Sequence, residues 1–245
     1  MESAIVWLYG ASGRMGQAIL GVADEFSGLA IKPLGRDGAV PEGRADALID
    51  FSVAEGLLAA VDIAQQHGLP LLSGTTGLDD RHELALKRLS QSQPVLQASN
   101  FSLGLAALRR AASELAARLD WDCEIVESHH RMKRDAPSGT ALALASSVRE
   151  GRGQTMAWED RMDESRNGEL RQAGSLGIAS IRGGSVVGDH CVHFLGEGER
   201  VELTHRADDR RIFARGAIRA ALLLRAMPAG MYALDEVLWP NEEPR

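Results

Sequence analysis

The sequence predicts an α/β protein: a doubly wound parallel sheet first, then an α+β domain built on a mixed, largely open sheet. Three observations predict it. Strand-like and helix-like segments alternate through the first hundred residues, the pattern of βαβ units. A glycine-rich turn joins the first strand to the first helix. After Asn100, strands follow one another without intervening helices, as in antiparallel or mixed sheets.

The elements are expected in this order. Ala4–Tyr9 is a short apolar strand. Arg14–Phe26 is a helix by the spacing of Met15, Ile19, Val22 and Phe26, and Gly28 ends it. Leu29–Leu34 and Ala47–Phe51 are strands. Helices over Glu55–Gln66 and Leu78–Gln91 flank a strand that begins at Pro70–Leu72. Pro94–Gln97 is a further strand. Leu103–Leu119 is a long helix, Cys123–Ser128 alternates like a strand, and Ser138–Arg149 is helical. The polar stretch Gly151–Asn167 is a loop. Ile178–Arg182, Ser185–Phe194 and Arg200–Arg206 are strands separated by glycine turns, and Phe213–Met227 is a helix. The domain boundary falls between residues 102 and 103. Residues 1–102, completed by 209–245, form one domain and 103–208 the other.

Composition narrows the function. Of 245 residues, 44% are hydrophobic and 25% charged, which excludes a disordered or collagen-like chain. The formal net charge of −7 argues against a nucleic-acid binder. No apolar run reaches the ~18–20 residues of a membrane span. The longest, Ala217–Met227, contains Arg219 and Arg225. The opening Met1-Glu2-Ser3 lacks a secretory signal, so a cytoplasmic protein is expected. Cys123 and Cys191 are too few for a disulfide framework and read as ordinary thiols.

Gly10-Ala11-Ser12-Gly13-Arg14-Met15-Gly16 has the spacing G-x-x-G-x-x-G, a variant of the dinucleotide fingerprint. Its glycines allow a tight turn and bring backbone N–H groups to a pyrophosphate at the helix start. Strand before and helix after make the first domain Rossmann-like and dinucleotide-binding. The alternative is an ordinary strand-to-helix turn. About 20 residues on, an acidic residue would grip the ribose of NAD. The sequence there reads Leu34-Gly35-Arg36-Asp37. Arg36, with help from Arg14, favours the 2′-phosphate of NADPH over NADH.

The densest chemistry lies in Glu127-Ser128-His129-His130-Arg131-Met132-Lys133-Arg134-Asp135-Ala136-Pro137-Ser138-Gly139-Thr140-Ala141. Ser138 or Thr140 supplies a hydroxyl at a helix start, where the N–H groups and dipole attract an anion. Histidines beside a lysine suit an anionic substrate that must gain a proton. A solvated basic loop is the bland alternative. A metal site is not expected, because adjacent histidines diverge and no spaced ligand set accompanies them. His67 and His82 read as surface helix residues. Cys191 and His193 read as strand residues of opposite orientation. His190 and His205 carry no assigned role.

These residues resemble the 4-hydroxy-tetrahydrodipicolinate reductase family, also called dihydrodipicolinate reductase. The resemblance rests on the Gly10–Gly16 turn, Ile49-Asp50-Phe51-Ser52, Gly74-Thr75-Thr76-Gly77, Ser99-Asn100-Phe101-Ser102, the His129–Ala141 stretch, Arg182–His190 and the segment from Thr204-His205 to Gly216. It covers nearly the whole chain and implies an NAD(P)H-dependent reduction of a cyclic dicarboxylate with loss of water, in lysine and diaminopimelate biosynthesis. It also implies a substrate-binding and oligomerisation domain and a homotetramer. By motif, His129 and Lys133 correspond to proton donors, and His130, Ser138, Gly139, Thr140 and Arg210 to substrate contacts. Gly10, Ala11, Ser12, Gly13, Arg14, Met15, Arg36, Gly74, Thr75, Thr76, Ala98, Ser99, Asn100 and Phe101 fall to the cofactor. Two features depart from the family: Arg36 stands where many members carry glutamate, and the stretch from Arg36 to Ala47 is short. A different nicotinamide-dependent reductase and a non-catalytic cofactor sensor are the competing readings.

Overall fold

The computed structural model describes residues 3–35, 39–153, 162–163, 170–171 and 174–240. The chain divides into two compact units, residues 1–103 with 211–245, and residues 104–210.

The first unit is built on a six-stranded parallel sheet. Its strands are β1 (Ala4–Tyr9), β2 (Leu29–Pro33), β3 (Ala47–Asp50), β4 (Leu71–Ser73), β5 (Pro94–Gln97) and β11 (Gly230–Tyr232). They lie in the order β11-β5-β4-β3-β1-β2, each neighbouring pair parallel. β3 and β4 are buried at every residue, as expected of strands covered on both faces. On one face Ile19 and Val22 of α1 (Arg14–Val22) and Ala217, Ile218 and Leu224 of α6 (Arg211–Leu224) pack over Val6, Leu8 and Ile49. On the other, α2 (Ala54–His67) and α3 (Asp80–Leu89) cover Trp7, Leu48 and Leu71. The chain leaves β1 towards β2 and returns beyond β1 to β3. The strand order therefore reverses at the carboxyl ends of β1 and β3, where ligands bind in such sheets.

Several predicted boundaries move, each for a local reason. The first helix stops at Val22 and tightens into a 3₁₀ turn over Ala23–Glu25, so it does not reach Phe26. The third helix starts after Asp79, whose carboxylate accepts from Arg81 and His82 N–H groups. His82 is therefore not a surface residue. It is 1% exposed, and its Nδ1 accepts the Asp79 N–H at 3.2 Å. Residues 230–232 form an edge strand where none was expected, and α7 (Leu234–Leu238) follows.

The second unit has a five-stranded mixed sheet in the order β10-β9-β6-β8-β7. These are β6 (Asp122–His129), β7 (Met162–Asp163), β8 (Leu176–Arg182), β9 (Gly188–Leu195) and β10 (Arg200–Ala207). β6 and β8 are parallel, whereas β9 is antiparallel to both β6 and β10. Ser185–Val187 lie outside the strand predicted to contain them. Most of the predicted loop Gly151–Asn167 falls outside the described residues, and Met162–Asp163 pair with β8. Helices α4 (Leu103–Ala116) and α5 (Gly139–Gly151) pack Leu108, Ala112, Leu144 and Val148 onto Cys123, Ile125, Val192 and Phe194. The opposite face carries Val126, Ala179, Ile181 and Cys191, with Ile181 54% exposed. Cys191 and His193 sit together on that face, two residues apart, rather than pointing oppositely. Burial pushes the Cys123 thiol up to about 12, so it is inert at neutral pH. Among the described residues no helix is long and apolar enough to cross a membrane.

Candidate active site

The glycine turn sits at the strand-order reversal. Gly10 has φ of 80°, and a Cβ there would lie 2.4 Å from the carbonyl oxygen of Phe51. A Cβ on Gly16 would lie 2.3 Å from the Gly10 oxygen. The turn and the helix start thus touch backbone to backbone, which only glycine allows. Gly13 precedes helix α1 as its N-cap, with no side-chain cap and no acidic residue in the first turn. Its leading N–H groups and positive dipole end are left to an external anion. This cradle fits the pyrophosphate of a dinucleotide. Ser12, Gly13 and Arg14 are exposed, whereas Ala11 and Met15 are half-buried against the core.

Asp50 organises the neighbouring loops. It is fully buried and accepts hydrogen bonds from Ser73 Oγ and Thr75 Oγ1, both at 2.8 Å, and from the Ser52 N–H at 3.0 Å. Three donors compensate one buried carboxylate and tie the end of β3 to the Gly74–Thr76 turn. Gly74 lies against the Phe51 ring, where a Cβ would come within 2.1 Å. Thr75 turns its hydroxyl inward to Asp50. Phe101 is 1% exposed and stands edge-on to Phe51 in the apolar core. Thr76 and Ser99 are exposed, and Ala98 and Asn100 half-buried. Arg36 and Asp37 lie outside the described residues. Ser73 and Thr75 donate to the same oxygen, Oδ2, so Asp50→Asn takes the acceptor from both hydroxyls or, with the amide turned, from the Ser52 N–H, a loss of about 1–3 kcal/mol. The expected result is dinucleotide binding weakened about tenfold, read by fluorescence titration.

A second cluster forms at the far end of β6. Alternation places Glu127 and His129 on one face, and the register sets His190 opposite Glu127 and Arg182 opposite His129. Glu127 Oε2 pairs with His129 Nδ1. Arg182 clasps the same carboxylate, Nη1 to Oε2 at 2.9 Å and Nη2 to Oε1 at 2.7 Å. The Ser138 N–H reaches Oε1 at 3.3 Å. Burial alone would raise the Glu127 carboxyl, but hydrogen bonds from Arg182, Ser180 and His129 outweigh it and hold the pKa at about 2. Burial draws His129 below its ordinary value, and the Glu127 carboxylate opposes that pull. The His190 ring meets His129 edge-on at 5.1 Å, and its Nε2 lies 3.1 Å from Ser138 Oγ. Burial first, and then the charge of His129, lowers His190 to about 4. His190 is therefore neutral near pH 7.

Ser138 caps α5, its oxygen accepting from the Ala141 N–H at 3.1 Å. A Cβ on Gly139 would meet nothing within 4 Å, so the helix start is open beside Thr140. Lys133 Nζ lies 2.7 Å from Asp135 Oδ2, and the lysine hydrogen bond holds the Asp135 carboxyl below its usual range. Lys133 also lowers His129 through its charge, so the two share one electrostatic neighbourhood. His130 is half-buried, and Arg210 is exposed just beyond β10. Glu127, Arg182 and His190 were given no role from sequence. Extending the alternation of β6 by one residue would have put Glu127 on the face of His129. Glu127, His129 and His190 bring ligand atoms within 4.8 Å of one another, as a metal would need. Both carboxylate oxygens are already taken by Arg182 and His129, so the set reads as a charge-compensated acid–base group.

A glycine cradle that fits a dinucleotide in one unit and a buried histidine–carboxylate pair in the other point to the class: a pyridine-nucleotide-dependent oxidoreductase. The comparisons make that specific. Family models described as dihydrodipicolinate reductase, N-terminus, and dihydrodipicolinate reductase, C-terminus, match residues 35–101 and 102–238. A 4-hydroxy-tetrahydrodipicolinate reductase of Zymomonas mobilis subsp. mobilis is 45% identical, covering 97% of this chain and 98% of that one. One from Rhodopseudomonas palustris is 39% identical, covering 94% and 95%. The fold is that of a dipicolinate-bound dihydrodipicolinate reductase from Paenisporosarcina sp. TG-14, with a TM-score of 0.77 at 21% identity over 96% of this chain and 99% of that one. The chain belongs to the dihydrodipicolinate reductase family. Its activity is the NAD(P)H-dependent reduction of 4-hydroxy-tetrahydrodipicolinate in lysine and diaminopimelate biosynthesis.

Proposed function

We propose that His129 is the proton donor of this reduction and that NADPH is the preferred cofactor. The observation that carries the reading is the buried His129, paired with an ionised Glu127 and next to the charge of Lys133. Overall, the substrate gains a hydride and a proton and loses water, giving tetrahydrodipicolinate. The bound nucleotide supplies the hydride. Gly10, Gly13 and the first turn of α1 hold its pyrophosphate, and the Gly74–Thr76 and Ala98–Asn100 segments line its nicotinamide half. His129 gives the proton to the substrate ring as negative charge develops there. Lys133, the α5 start at Gly139 and Thr140, His130 and Arg210 receive the two carboxylates. Ser138 serves by fixing that helix start.

The test follows NADPH absorbance with substrate made from pyruvate and aspartate semialdehyde by a coupled synthase. Turnover that needs every component, and that falls when a pyridine dicarboxylate is added, is expected. NADPH binding without turnover would overturn the reading. The preference for NADPH rests on Arg36 by its place in the sequence. Arg36→Glu is expected to shift the ratio of kcat/KM for NADPH over NADH by at least about tenfold towards NADH, about 1.4 kcal/mol. An unchanged ratio would remove Arg36 from the ribose site.

The open face of the second sheet, with Val126, Ala179 and Ile181, supports association with further copies as a homotetramer. Sedimentation of the purified protein reads that state directly. Cysteines kept as thiols fit a cytoplasmic enzyme.

A further inference from the structure

We propose that Glu127, clamped by Arg182, is a positioning residue for the reduction: it holds His129 as its Nδ1–H tautomer and so makes Nε2 the atom that exchanges the proton. The proposal rests on the reading of His129 as proton donor and adds how that donor is set.

The carboxylate has no freedom to do otherwise. Glu127 is 0% exposed, and its two oxygens receive Arg182 from β8, the Ser138 N–H from the turn before α5, and His129 from its own strand. An ionised carboxylate only accepts hydrogen bonds. The imidazole nitrogen that meets it must therefore donate, which fixes the proton on Nδ1. The backbone is pinned as well, because the His129 carbonyl accepts the Gly183 N–H at 2.9 Å.

Nε2 then faces a space that residue 188 leaves open. A Cβ on Gly188 would come within 3.0 Å of Nε2. Any larger residue would crowd the atom assigned to proton exchange.

The remaining groups around the ring set its charge balance. They are Glu127 on β6, Arg182 on β8, His190 on β9 with His205 beyond it on β10, and Lys133 with Asp135 in the turn after β6. Lys133 and Arg182 disfavour a charged His129, and Glu127 favours it. His190 stays neutral and adds no second positive charge when His129 is protonated. Glu127 is thus the group that keeps His129 able to hold a proton among cations.

The experiment has two arms. Long-range proton–nitrogen NMR of the ¹⁵N-labelled full chain, with His129 assigned by loss of its signals in His129→Gln, reads the tautomer in the wild-type protein without a variant of Glu127. The expected spectrum shows Nδ1 protonated and Nε2 bare in neutral His129. A spectrum with the proton on Nε2, or a rapid mixture of both, overturns the proposal.

The second arm is Glu127→Gln, whose amide can accept or donate and so admits the wrong tautomer. Its kcat is expected to fall at least about 10²-fold. The pH above which kcat declines should drop by about one unit or more, because the proton donor loses its carboxylate. KM for NADPH should stay within a few-fold. A loss of activity that follows only the lost folded fraction, with the pH profile unmoved, means a structural role and overturns the proposal. If His129→Gln keeps its turnover, the proton-donor reading falls and the proposal with it. If His129→Gln is inactive while Glu127→Gln leaves tautomer and profile unchanged, only the role of Glu127 falls.

Discussion

His129→Gln is expected to lower kcat by about 10²–10⁴-fold, the usual contribution of a positioned general acid. Glutamine matches the reach of the ring but has no titrating proton. Its amide can still meet Glu127, so the buried carboxylate keeps a partner and the fold should hold. Binding of NADPH should be untouched, because the cradle at Gly10–Gly16 belongs to the other unit. Steady-state kinetics with the coupled synthase, alongside nucleotide titration, separate the two effects. Turnover within a few-fold of the parent would remove His129 from the chemistry and shift attention to Lys133.

Gly10→Ala has the second largest expected effect, and it acts on the other substrate. The position has φ of 80°, which costs a residue with a side chain about 1–3 kcal/mol. The new methyl would also lie 2.4–2.7 Å from the Phe51 carbonyl and the Ser52 nitrogen. All of those are backbone atoms, so the end of β3 must move. That end carries Asp50, which orders the Gly74–Thr76 turn. NADPH affinity is expected to fall about 100-fold or more, about 2.8 kcal/mol. Thermal unfolding should begin several degrees lower. A wild-type Kd together with an unchanged Tm would show that the turn does not carry the nucleotide.

The parts legible in the sequence are those whose signal is local. β1, β3, β4 and β5 read as short apolar runs because helices cover both faces of their sheet. The glycine turn read correctly as a strand-to-helix junction, because the spacing of its glycines is itself a backbone requirement. Helix ends read less well. Asp79 and Gly68 set two of them through a cap and a left-handed residue, and neither changes the hydrophobic period. In the second unit the basic stretch around His129 was visible, but its electrostatic partners were not. Arg182 lies 55 residues from Glu127 in sequence, and His190 lies 52 from Ser138. Only strand pairing brings them together, and pairing across β9 and β8 leaves no local trace. Reading β6 as ending at Ser128 also hid the alternation that puts Glu127 beneath His129. β11 escaped because three residues carry no periodicity.

The return of the chain end into the first unit bears on how the protein is made. Helix α6 packs Ala214, Ala217, Ile218, Ala221 and Leu224 against one face of the parallel sheet, and β11 completes its edge. On a ribosome, residues 1–103 emerge with only α1 on that face and wait through the synthesis of the entire middle unit before α6 arrives. A nascent or prematurely terminated chain therefore leaves bare the part of that face that α6 covers, the kind of transient apolar surface that favours aggregation. Residues 1–103 cut out alone are expected to be largely insoluble, read as the soluble fraction on expression. A working excision must fuse residues 211–240 back on through a linker, or move the termini by circular permutation so that α6 is translated next to the sheet it covers.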